Sequence, residues 1–106
     1  MLTWHFERYR DLITKLKTRT DASGAPLLNS TLLAFFSGQG DAGSHADYNM
    51  QMFLAGRGGG RYKTGLTQDY RNSRDVGDVW LTILRDFGID RPSFGKGTKP
   101  LVEIKP

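Results

Sequence analysis

Asp41, His45 and Asp47 fall within seven consecutive positions, and an imidazole between two carboxylates is a donor set suited to a divalent metal or to proton transfer. A metal site ordinarily takes three or four ligands, oriented by further groups, so these residues supply at most part of one. On spacing alone a plainer reading weighs more: Asp41 and Asp47 close Asx-type turns, and His45 is a solvent-facing loop histidine. Further along, Arg57, Arg61 and Lys63 decorate the run GRGGGRYK and offer three cations to an anion. Cations in an exposed glycine-rich run ordinarily meet only water. His5, the other histidine, stands beside Trp4 on a helical pattern and reads as a surface or packing residue.

Other chemistries are poorly served. The run LAGRGGGRYKTG lacks the Gly-Lys-Ser/Thr ending that opens a helix in a phosphate loop, and no GxGxxG follows a strand in the required way. Ser37, Ser44 and Ser73 lie outside any GxSxG pattern, so no catalytic residue is assigned and enzyme activity is left open. The chain has no cysteine, which removes thiolate catalysis, disulfides and cysteine-held zinc together.

The elements that must position these residues are legible from periodicity. Residues 37–65 place a polar glycine-rich loop before a short apolar run and a second glycine cluster after it. Upstream, Leu2, Phe6, Tyr9, Ile13 and Leu16 recur at steps of four and three, which predicts an amphipathic helix that Thr3 would cap. The turn residues of TDASGAP, 20–26, stop it. TLLAFFS, 31–37, and MQMFLAG, 50–56, are continuous apolar runs of strand length, as in strands covered on both faces within a parallel or mixed sheet. GRGGG is too flexible to form an element, and residues 61–70 form at most an irregular strand or hairpin. A second helix, capped by Ser73, carries Val76, Val79, Trp80, Ile83, Leu84 and Phe87, is weakened by Gly77, and ends at Gly88. The tail SFGKGTKPLVEIKP is turn-rich and is expected along the surface.

A chain of 106 residues is one domain or a piece of one. Its net charge of +4 favours encounters with anions. In sequence, however, the cations are scattered: Lys15, Lys17 and Arg19; then Arg57, Arg61 and Lys63; then Lys96, Lys99 and Lys105. Without a dense basic run, no nucleic-acid partner is expected. No segment approaches the roughly 20 apolar residues of a membrane span, and the start MLTWHFERYRDL has no signal-peptide core. Taken alone, the chain is expected to stay in the cytoplasm.

The order of motifs carries a resemblance over nearly the whole chain. DASGAPLLNS (with Asp21, Gly24, Leu27, Leu28 and Ser30), an apolar strand ending in Ser-Gly, a histidine-bearing loop, LAGRGGG, KTG, a helix ending in Phe-Gly-Ile, and FGKGTKPL follow in turn. Together they resemble the C-terminal portion of the bacterial HXXSHH-motif family, exported proteins of unknown function from planctomycetes and myxobacteria. The signature that names that family lies upstream in its members and does not occur in these residues. The resemblance therefore implies that residues 1–106 are one C-terminal fragment of a larger α/β domain, completed by the remainder of the parent chain, with oligomeric state left open. The family is distantly similar to the alkaline phosphatase and sulfatase superfamily, which implies an alkaline-phosphatase-like α/β/α fold and a divalent metal in the full-length parent. On that analogy His45 would be the metal ligand, with Asp41 and Asp47 beside it as further candidates. Asn49 and Met50 stand where the superfamily has a proline at the start of the following strand. The alternative is a non-catalytic surface protein whose glycine loops bind a polysaccharide or partner. A full-length parent would be exported to the periplasm or cell surface.

Overall fold

A computed structural model describes residues 2–38, 43, 48–71 and 73–106. The chain divides into two compact units, Met1–Phe36 with Met52–Thr64, and Ser37–Gln51 with Gly65–Pro106. Among the described residues it contains two α-helices and one two-stranded sheet, a small α/β fold.

In the first unit, helix α1 (Leu2–Thr18) presents the expected apolar face. It begins at Leu2, so Thr3 lies inside its first turn and not at the cap. Its exit is fixed by Asp21, whose carboxylate accepts from the Ser23 amide at 2.8 Å, the Ser23 hydroxyl at 2.6 Å and the Ala25 amide at 3.1 Å. This Asx turn feeds a 3-10 turn, Leu27–Ser30. Strands β1 (Leu33–Phe36) and β2 (Met52–Ala55) then pair antiparallel, with Leu33 opposite Ala55 and Phe35 opposite Phe53.

Paired residues share a face, so Leu33, Phe35, Phe53 and Ala55 form one side of the sheet, and through Phe35 and Phe53 that side meets α1. There the Phe6 ring lies 4.8 Å from Phe35 and 5.2 Å from Phe53, and Tyr9 lies 5.1 Å from Phe35. The Tyr9 hydroxyl reaches the carbonyls of Leu33 at 3.4 Å and Phe53 at 3.3 Å. Ala34, Phe36, Met52 and Leu54 form the other face, on which Ala34 and Phe36 are exposed. The expected parallel or mixed sheet with two covered faces is thus corrected to an antiparallel pair, in which alternate residues of β1 are exposed. Uniformly apolar runs carry no signal for strand direction, since either pairing satisfies them.

In the second unit, helix α2 (Val76–Asp86) is capped by Asp75, not Ser73: the Asp75 carboxylate accepts from the Gly77 amide at 2.7 Å. Its end is as expected. Gly88 has φ +81°, its amide bonds the Arg85 carbonyl, and the Ile89 amide bonds that of Leu84, the paired bonds of a Schellman motif. The buried side of α2 differs from the apolar stripe in the sequence. Gly77, Asp78, Leu81 and Thr82 are buried, whereas Val76 and Phe87 at the ends of the stripe are exposed, Phe87 by 75%.

The tail causes this. It is not a surface strap: Leu101 is 3% exposed, and Gly97 is buried against the first turn of α2. A Cβ on Gly77 would stand 2.8 Å from the Gly97 amide nitrogen, so the two backbones touch where any side chain would hold them apart. Gly77 costs helix propensity and makes that contact possible. The chain ends in a 3-10 turn, Val102–Ile104, and Lys105 is paired with Asp86. No strand forms among residues 61–70.

Candidate functional site

The segment 37–51 joins β1 to β2, two strands that pair directly. Asp41, His45 and Asp47, the expected metal ligands, lie in this segment but outside the described residues. Among the described residues no group of three or more His, Cys, Asp or Glu is placed to hold a metal ion. The test of a metal there is therefore the chemistry of the donor set, one imidazole and two carboxylates, which suits a divalent ion. His5 is exposed and stands edge-on to the Trp4 ring at 5.2 Å, as a surface packing residue would.

The second glycine cluster is a bracket and not a slack loop. After β2 the Arg57 amide donates to Leu28, Gly58 to Thr31 and Gly59 to Asn29, at 2.8–3.2 Å. The amides of Gly60, Arg61 and Tyr62 all return to the Arg57 carbonyl at 2.9–3.2 Å. Six successive amides are thus spent on the protein's own carbonyls. A phosphate loop needs such amides pointing outward, so this geometry removes a backbone cradle for a single phosphate.

Glycine is required here for two different reasons. Gly56 has φ +95°, and a Cβ there would run into the Thr31 carbonyl oxygen. Gly58 has φ +51°, and a Cβ there would stand 2.6 Å from the Tyr62 ring, which is itself buried. The bracket leaves the side chains of Arg57, Arg61 and Lys63, the residues proposed from the sequence to meet an anion, exposed. Arg61 folds back to donate to the Gly58 carbonyl at 3.4 Å. Among the described residues none of the three is paired with a carboxylate.

A further constellation, in the second unit, has almost no signature in the sequence. Asp78 is 5% exposed, yet its oxygens are fully occupied: Oδ1 accepts from the amides of Thr98 and Lys99 at 3.0 Å each, and Oδ2 from Arg74 Nε at 2.8 Å. Arg74 also reaches the Lys99 carbonyl at 2.5 Å and Glu103 at 3.5 Å. The Tyr70 hydroxyl donates to Glu103 at 2.7 Å, and the Arg74 guanidinium stands 5.6 Å from the centroid of the Tyr70 ring. Thr82 accepts from the Leu101 amide at 2.8 Å. The four-residue step from Arg74 to Asp78 is this constellation's one trace in the sequence.

The electrostatics follow from these bonds. Burial alone would raise the Asp78 carboxyl, but the bonds from Arg74, Lys99 and Thr98 outweigh it and hold it below the ordinary value. The hydroxyl of Tyr70 lowers Glu103. Burial, and then the bond to that carboxylate, push Tyr70 up to about 12. Asp78 raises the Arg74 guanidinium. The two carboxyls move down and the phenol and guanidinium move up, all away from neutrality, leaving no group in the cluster poised to take or give a proton there. The network ties the tail to α2.

No protein-family model, curated protein or solved structure matches the chain. Among the described residues no helix is long and apolar enough to cross a membrane.

Proposed function

We propose that the chain is the C-terminal part of an exported HXXSHH-family protein, with a metal-dependent hydrolase-like site for phosphate or sulfate esters, inactive without the rest of its parent. One observation carries the reading. Fifteen residues separate two strands that pair directly, and this insert holds His45, Asp41 and Asp47. Connections of that length between directly paired strands are uncommon in compact domains and usually functional. The order of motifs around it supports the same assignment, and an alkaline-phosphatase-like α/β/α fold would be completed by the remainder of the parent. In this reading the segment 37–51 supplies part of a divalent metal's ligand set, and the other ligands come from the parent chain. Calorimetric titration of the full-length parent with zinc or manganese should show binding that His45→Ala abolishes. Absence of binding, or binding indifferent to His45, sinks the proposal.

A second reading, a non-catalytic surface or binding protein, draws on the bracket, a fixed backbone that presents Arg57, Arg61 and Lys63 to solvent. Under it, removing these three side chains weakens capture of a polysaccharide or protein partner, whereas His45→Ala leaves it intact.

A further inference from the structure

The charge of this protein is divided unevenly between its two units. The first carries eight of the 15 Lys and Arg and three of the 11 Asp and Glu, a net of +5; the second carries seven and eight, a net of −1. Within the first unit the fold gathers cations that the sequence keeps far apart. Arg19, at the end of α1, accepts from the Leu27 amide at 2.9 Å, and the next residue, Leu28, accepts from the Arg57 amide at 3.2 Å. The last turn of α1 and the glycine bracket are therefore hung on the same 3-10 turn. Lys15, Lys17 and Arg19 come from one side of it, and Arg57, Arg61 and Lys63 from the other.

All six are exposed, and among the described residues none is paired with a carboxylate. The one acid in segments 15–31 and 56–64 is Asp21, engaged in its own turn by Ser23 and Ala25. The exposed residues between and beside the cations are Thr18, Thr20, Ala22, Ser23, Gly24, Asn29, Ser30, Gly59, Gly60 and Thr64, small or polar throughout. No large apolar side chain is exposed within either segment.

We propose that the exposed cations flanking the 3-10 turn Leu27–Ser30 of the first unit, Lys15, Lys17 and Arg19 together with Arg57, Arg61 and Lys63, bind the phosphodiester backbone of nucleic acid without regard to sequence. Three observations select that ligand. The bracket's amides are spent internally, so no cradle exists for a single small anion, whereas six separate cations match a repeating one. Hydroxyl and amide side chains among cations are the usual contacts to phosphate and sugar oxygens. A lipid surface would in addition call for apolar side chains able to enter the headgroup region, and these segments expose none. The proposal departs from the expectation that no nucleic acid binds, because folding joins two cation clusters that lie some forty positions apart in the sequence. It is independent of any metal at His45.

The test is fluorescence anisotropy of a labelled 20-base-pair duplex of arbitrary sequence, in EDTA, from 50 to 200 mM salt. Binding should weaken steeply with salt, the slope of log affinity against log salt being about −4 to −5 for five phosphates neutralised. Arg57→Gln/Arg61→Gln/Lys63→Gln and, separately, Lys15→Gln/Lys17→Gln/Arg19→Gln should each cost at least about tenfold in affinity and reduce the slope by about 2. A control in the second unit, Arg71→Gln/Lys96→Gln, should change affinity less than about twofold, whatever the duplex sequence. Circular dichroism confirms that each variant folds. Equal losses from the control and the patch variants, or a slope near zero, overturn the proposal. So does a patch-dependent preference for vesicles of phosphatidylcholine and phosphatidylserine over the duplex at the same salt.

Discussion

The two units solve the same problem, ordering a short chain around very little core, by opposite means. The first stacks rings: Phe6 and Tyr9 of α1 lie on Phe35 and Phe53, and a glycine bracket locks the backbone behind them. The second uses charge, with one buried carboxylate, Asp78, collecting the tail and Arg74 onto α2. Apolar packing is non-directional and insensitive to pH, whereas a buried charge is stable only while every partner is present. The first unit should therefore tolerate titration, and the second should not.

The sharpest way to break that contrast is Asp78→Ala. It strands Arg74 and two amides, and loss of one partner of a buried charge pair costs about 3–5 kcal/mol. Hydrogen exchange should quicken across residues 76–86 and 97–104 and remain unchanged in β1, β2 and the bracket. Uniform acceleration would show that the units do not respond separately. Next in size is Gly56→Ala, which forces a side chain onto the Thr31 carbonyl at positive φ and should cost about 2–3 kcal/mol in the first unit. Here the exchange pattern should be the mirror image.

Acid should have a smaller effect, confined chiefly to the second unit. Asp78 and Glu103 lie below their ordinary values when folded, so their contribution is fully present above the unfolded values of about 3.9 and 4.3 and is lost as pH falls through the lower folded ones. The urea midpoint read from α2 should drop below about pH 4. In the first unit the turn at Asp21 is the shifted carboxyl, lowered by the Ser23 hydroxyl, and its opening should leave the ring cluster intact. A ring cluster that melts together with α2 on acidification would refute the division. Smallest is Tyr70→Phe, which removes the bond to Glu103 and should cost about 1 kcal/mol. Tyr70 is raised to about 12, so its contribution is present below about pH 10 and fades as pH climbs through about 12. The variant should lack that alkaline loss; if it keeps the loss in full, Tyr9, raised by burial in the first unit, is its source.

Short-range regularities made part of this legible. A step of three and four sufficed for α1, a run of apolar residues for each strand, and Gly88 for the end of α2. The cap of α2 was misplaced by two residues because Ser73 and Asp75 are both competent acceptors, and only the chain path chooses between them. At the candidate site, the exposure of Arg57, Arg61 and Lys63 could be anticipated from their glycine neighbours. The rigidity beneath them could not, since it comes from carbonyls of Leu28, Asn29 and Thr31 that precede it by almost thirty positions.

The sequence by itself determined where helices and strands form, because propensity and periodicity act within a few residues. It also determined which chemistries are closed to this chain, through the absence of cysteine and of a phosphate-loop ending. Tertiary structure alone decided the antiparallel pairing and the burial of α2 on its Gly77 and Asp78 side. It alone also gathered six cations about one turn. These features depend on backbone amides finding carbonyls and carboxylates far along the chain, and neither amides nor carbonyls differ from one residue type to the next.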